Sequence, residues 1–178
     1  MAKRIALLFI GMMLMACATT VSKTKRADLG QYPAHLPDFV LKDVHGKTFQ
    51  SKLFREKNLV LVITAPTVHN KGAQEGWAEA FDDKAFLETI NLVFLEDMQP
   101  SLFKGKAKAS MKEESKPGSQ PILLIDPDAK VRKSLNAPAN ETIVLVFRKG
   151  GDLVQVESQG ASPAAAKRVH HVLQNHNP

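Results

Sequence analysis

Four short, uninterrupted apolar runs constrain this chain most: Leu59 to Ile63, Leu92 to Leu95, Ile122 to Ile125 and Ile143 to Phe147. Runs of this length, built from leucine and β-branched residues, have the composition of strands covered on both faces; a half-exposed strand would alternate apolar with polar residues. Helical patterns separate them. Ala73 to Thr89 carries Trp77, Ala80 and Phe81 at helical spacings, with Glu75, Glu79, Asp82 and Asp83 for the wet side, which predicts one amphipathic helix. Ser101 to Ser115 is a lysine-rich stretch compatible with a second helix, closed by Pro117 and Gly118, and a short third helix is predicted through Val131 and Leu135. Ser162 and Pro163 supply an N-cap and a first-turn proline for a last helix with Ala165, Val169, Val172 and Leu173 inward.

Two hairpins complete the pattern. Asp38 to Phe49 reads as two short strands around a turn at His45-Gly46, and Leu153 to Val156 is joined to the Ile143 run through Gly150-Gly151. Gln155 interrupts the last strand and predicts partial exposure. The order is a hairpin followed by β-α-β-α-β-α-β-β-α, an α/β fold of three layers around a mixed sheet. A chain of 178 residues suits one such domain. Hydrophobic residues at 44% and charged residues at 24% exclude disordered, collagenous and polytopic membrane classes.

The amino terminus follows a different rule. Lys3 and Arg4 precede an apolar run from Ile5 to Met15, broken only by Gly11, and then come Ala16 and Cys17. Eleven residues are too few to span a bilayer, which takes roughly 20, but they suit the core of a secretion signal. Leu14-Met15-Ala16-Cys17 resembles the lipobox of bacterial lipoproteins, with Met15 larger than usual. The resemblance implies diacylglycerol on the Cys17 sulfur, cleavage after Ala16, and a lasting membrane anchor made of several acyl chains. It also implies, with Ala18 in place of an aspartate, an outer membrane location facing the periplasm. The expected organisation is a signal peptide over 1–16, a lipidated flexible tether over 17–34 and a folded domain over 35–178. Loss of Lys3 and Arg4 lowers the formal charge from +6 to about +4.

Over residues 35 to 176 the chain resembles the thioredoxin-like superfamily, in its peroxiredoxin and TlpA-like branch. The resemblance rests on the Pro37-Asp38-Phe39 entry, Asp43 and Gly46 in the hairpin, the strand ending at Ile63 and the closing hairpin and helix. The layout is most similar to that of cysteine-free, YtfJ-like periplasmic proteins. In the redox-active members a Cys-x-x-Cys pair follows this strand, and the helix N-terminus stabilises its first thiolate. Here Val68 and Lys71 stand at those places. The peroxiredoxin pattern, begun at Pro66, meets Asn70 and Ala73 where a hydroxyl residue and the nucleophile belong. The expected cis-proline falls near Glu141 or Thr142, with Pro138 a few residues early. Cys17 is the only cysteine of the chain, so thiol-disulfide exchange and cysteine-based peroxide reduction have no nucleophile.

Other chemistry is sparse. His35, His45, His69, His170, His171 and His176 lack metal-ligand spacing, and no metal or cofactor is expected. Ser101-Leu102-Phe103-Lys104 matches the Ser-x-x-Lys spacing of some acylases with nothing else of that family. Asp126-Pro127-Asp128 reads as a turn and cap. Residues 101 to 116 hold Lys104, Lys106, Lys108, Lys112 and Lys116 against Glu113 and Glu114, either a solvated face or a contact for an anionic surface through Lys104, Lys106 and Lys108. Nucleic acid is not expected, since aromatic residues are not interleaved with the basic ones.

The expectation is a lipid-anchored envelope protein without redox activity that binds a peptide or protein partner in a groove made by Thr67, Val68, His69, Lys71, Pro138, Glu141 and Thr142. The alternative is an oxidoreductase, or an enzyme using a non-cysteine group such as Thr67 or His69. Cells fed labelled palmitate should incorporate the label into this protein, and Cys17→Ser should abolish it.

Overall fold

A computed structural model describes residues 25–26, 28–65, 68–99, 104–139, 141–158 and 160–174. One sheet of eight strands runs through it: β1 (Lys25–Arg26), β2 (Val40–Asp43), β3 (Thr48–Gln50), β4 (Asn58–Thr64), β5 (Ile90–Asp97), β6 (Ile122–Asp126), β7 (Ile143–Phe147) and β8 (Leu153–Ser158). Their spatial order is β1-β8-β7-β4-β5-β6-β2-β3. The β4/β5 and β5/β6 pairs are parallel, and the remaining pairs are antiparallel. This is the mixed sheet expected from the apolar runs, and all four runs lie in it.

Alternation along the central strands divides the core into two layers. Leu59, Leu61, Ile63, Val93, Leu95 and Leu145 face one side, where they meet Leu36, Phe39, Phe54 and the short helix α4 (Lys130–Ser134) through Val131. Val60, Val62, Leu92, Phe94, Val144 and Val146 face the other. That side is covered by α1 (Val68–Ala80), α2 (Lys84–Thr89) and α5 (Pro163–Gln174), which contribute Trp77, Phe86, Ala165, Val169 and Leu173. The lysine-rich helix α3 (Lys104–Glu114) lies over the β6 end and buries Met111 against Val44 and Met98. No described helix is long and apolar enough to cross a membrane.

The local signals acted as read. Ser162 Oγ accepts the Ala165 N–H at 3.1 Å, capping α5. Gly150 and Gly151 turn the β7-β8 hairpin at φ +96° and +102°, where a side chain would be strained.

Three expectations change. The single helix over Ala73 to Thr89 is two, because Asp83 accepts the Phe86 N–H at 3.2 Å and caps a new start; a capping aspartate competes with helix continuation. The tether over 17–34 is docked where it is described: Arg26 pairs with Glu157, and Leu29–Gln31 forms a 3-10 turn. The Asn136 side chain donates to the Gln31 carbonyl. Thirdly, β8 is not exposed at Gln155. Gln155 and Glu157 are 2% and 0% exposed, because they share the Val144 and Val146 face, which α5 covers.

Glu157 is hooked to α5 by two bonds from Arg168, Nε to Oε1 at 2.8 Å and Nη2 to Oε2 at 2.6 Å, and Gln155 donates to it as well. Removing one partner of a buried pair strands the other charge, and the 37% exposure of Arg168 moderates that cost. Arg168→Ala should therefore destabilise the fold by about 2–3 kcal/mol, and Glu157→Gln, which leaves no buried charge, by less. Urea unfolding of the two variants would show the order.

Candidate functional site

The pairing of β4 with β7 sets Ile63 opposite Ile143. The end of β4 and the start of β7 therefore lie at one end of the sheet, where the described parts of segments 64–72 and 138–142 leave it. Cys17 and Thr67 lie outside the described residues. Val68, His69 and Lys71 occupy the first turn of α1. Pro138 and Glu141 are exposed, whereas Thr142 is 2% exposed with no hydrogen-bond partner for its hydroxyl. Thr142 is thus part of the buried layer at this end of the sheet and not of its exposed surface. The cis peptide bond among the described residues is Gln120–Pro121, before β6, not near Glu141.

This buried layer is more polar than the sequence suggested. Thr64 is buried and sits beside Glu96 of β5 in the parallel register. Glu96 is fully buried. Its Oε1 accepts from Gln74 Nε2 of α1 at 2.5 Å and its Oε2 has no partner. Burial raises the Glu96 pKa from 4.5 to about 7, with the Gln74 bond opposing part of the rise. Gln74 also borders a cavity of about 660 Å³ between α1 and α3, floored by Phe94, Leu123 and Met111.

On the opposite face the next residue, Asp97, meets Arg132 of α4. Arg132 Nε donates to Asp97 Oδ2 at 2.5 Å and Nη1 donates to the Ala137 carbonyl at 2.7 Å. Its backbone N–H donates to Asp126 Oδ2 at 2.9 Å. Asp126 also accepts the Lys130 N–H, so the turn-and-cap reading of this aspartate holds. Burial raises its pKa, backbone hydrogen bonds partly offset this, and the neighbouring Asp97 charge adds to the rise. Arg132 therefore positions the chain at Ala137, directly before the 138–142 segment.

None of Glu96, Asp97, Arg132 or Gln74 stood out in the sequence. The available signal was the Glu96-Asp97 pair abutting an apolar run: strand periodicity sends two such carboxylates to opposite buried faces, and each then needs a partner. Among the described residues no group of three His, Cys, Asp or Glu side chains converges as a metal site. His45 Nε2 lies 3.0 Å from Ser115 Oγ and His170 stacks on Phe86, contacts that give these rings structural roles.

No family model matches the chain, and no curated protein matches it. Solved structures do. It is similar to the exposed lipoprotein thioredoxin Etrx1 of Streptococcus pneumoniae, at 15% identity and a TM-score of 0.60, covering 78% of this chain and 99% of that one. It is similar to a putative thiol:disulfide interchange protein DsbE of Chlorobium tepidum, at 13% and 0.61, covering 81% and 96%. A putative thioredoxin of Neisseria meningitidis gives 12% and 0.64, covering 82% and 93%. The chain thus has a thioredoxin-like fold of the kind seen in DsbE-type proteins, and its one cysteine is Cys17.

Glu96 makes the site pH-sensitive in a defined sense. An acid whose folded pKa lies above its unfolded value stabilises the fold at low pH and loses that contribution as pH rises between the two values. Here the window runs from about 4.5 to about 7, and Asp126 acts in the same direction. Between the ends of this window the protein should lose about 3 kcal/mol more stability than its Glu96→Gln variant, as measured by denaturant unfolding at a series of pH values.

Proposed function

We propose that this protein is a lipid-anchored envelope component whose thioredoxin-like domain binds a peptide or protein partner and carries out no thiol chemistry. One observation carries the reading: the scaffold is retained through the closing hairpin and helix, while Val68 and Lys71 occupy the start of α1, where a dithiol would act. A thioether on Cys17 would place that sulfur outside redox chemistry altogether. Two structural neighbours, one described as an exposed lipoprotein and another as secreted, support export.

The groove between 64–72 and 138–142 suits binding because its rim and floor differ. Pro138 and Glu141 are exposed and held from below by the Arg132 bond to Ala137, so a partner meets a positioned surface at little ordering cost. The buried Glu96 and Thr142 keep unpaired polar atoms beneath it.

A photoreactive amino acid placed at Glu141 should crosslink a defined envelope protein in intact cells, and the same probe at Lys84, on the helical side, should not. Equal yields from both positions would discard the groove. Turnover of peroxide or a protein disulfide by the Cys17→Ser chain would discard the non-enzymatic reading.

A further inference from the structure

Tertiary packing assembles a basic row that the sequence does not display as one. The turn of the β2-β3 hairpin lies against α3 across a cleft of about 350 Å³, bordered by His45 and Gly46 on one side and by Gly105, Lys108, Ala109 and Lys112 on the other. The spacing of those four α3 positions places them on one helical face. A smaller adjoining recess continues the row through Lys47 and Lys116, again beside His45. Lys47, Lys108, Lys112 and Lys116 are all exposed.

Three acids, Asp43, Glu113 and Glu114, lie near these four lysines, so the local balance stays positive. Asp43 is buried and its Oδ1 is taken by the backbone N–H groups of His45 and Lys47, at 2.9 and 2.8 Å. Glu114 accepts from Ser110 and borders the other cavity, toward α1. Glu113 follows Lys112 by one residue, about 100° around the helix. Of the lysines expected at an anionic surface, Lys108 borders the cleft and Lys106 does not.

We infer that this row, Lys47, Lys108, Lys112 and Lys116 around His45, is a docking surface for the anionic headgroups of the membrane. The inference rests on the lipid-anchor reading, which supplies the geometry. Eight residue steps separate Cys17 from Lys25, so an extended tether reaches at most about 28 Å. β1 and β2 are six strand positions apart, about 29 Å across the sheet. A body held that closely at its β1 edge can lie along the bilayer and set the opposite edge on it. Each lysine near an anionic leaflet adds a small, salt-sensitive attraction, and a row of four at the far edge fixes which edge lies down.

The test uses the full chain carrying Cys17→Ser, so that the apolar leader is common to every arm. It is mixed with vesicles of phosphatidylcholine alone or with added phosphatidylglycerol. Binding to the anionic vesicles should be roughly tenfold tighter and fall to the neutral level at high salt. Lys108→Glu with Lys112→Glu should remove most of that preference, and Lys84→Glu with Lys167→Glu, an equal charge change elsewhere, should keep most of it. No preference for anionic vesicles, or equal loss in both double variants, overturns the inference. Palmitate labelling of Cys17 is read separately: label without vesicle preference removes the docking surface alone, and vesicle preference without label removes the anchor alone.

Discussion

The structure depends on what a strand buried on both faces does with charge at its end. β5 is apolar from Leu92 through Leu95 and closes with Glu96 and Asp97, both 1% exposed or less. Strand alternation sends one carboxylate into each layer, where it cannot be left bare. Gln74 of α1 meets Glu96 and Arg132 of α4 meets Asp97. β8 repeats the device at Glu157 with Arg168 of α5. Three helices are thus registered on the sheet by directional polar contacts as well as by apolar packing, whose forces are non-directional.

These contacts also shape the site. Arg132 reaches past Asp97 to the Ala137 carbonyl and thereby holds the chain just before Pro138. Gln74 stands between Glu96 and the cavity next to α3. The two contacts differ in electrostatic character. Asp97 faces a guanidinium that compensates its charge. Glu96 faces a neutral amide, and burial lifts its pKa to about 7. The end of the sheet that carries redox chemistry in thiol enzymes here holds a carboxyl group poised between its two protonation states, beneath a surface that lacks a thiol.

Much of the fold was legible in the residues. The uninterrupted runs defined the central strands, and the glycine pair and Ser162 defined a turn and a helix start through local chemistry alone. The misreadings share a cause. Asp83 divides a helix whose apolar spacing continues across it, because a side-chain cap outweighs periodicity at that point. Gln155 reads as an exposed position until α5 covers its face. Strand order brings Ile63 opposite Ile143, so the ends of two segments named from the sequence share one end of the sheet, but the burial of Thr142 and Glu96 there was missed.

What the sequence determined by itself is local or subtractive: strand and helix composition, turn chemistry, and the absence of cysteine at positions 68 and 71. These need no knowledge of distant neighbours. Only the tertiary structure decided the partners of Glu96, Asp97 and Glu157, the burial of Gln155 and Thr142, and the meeting of Lys108 and Lys112 with His45 and Lys47. Each of these depends on residues from separate elements coming together. The charge or burial of such a group is set by packing, which no local pattern encodes.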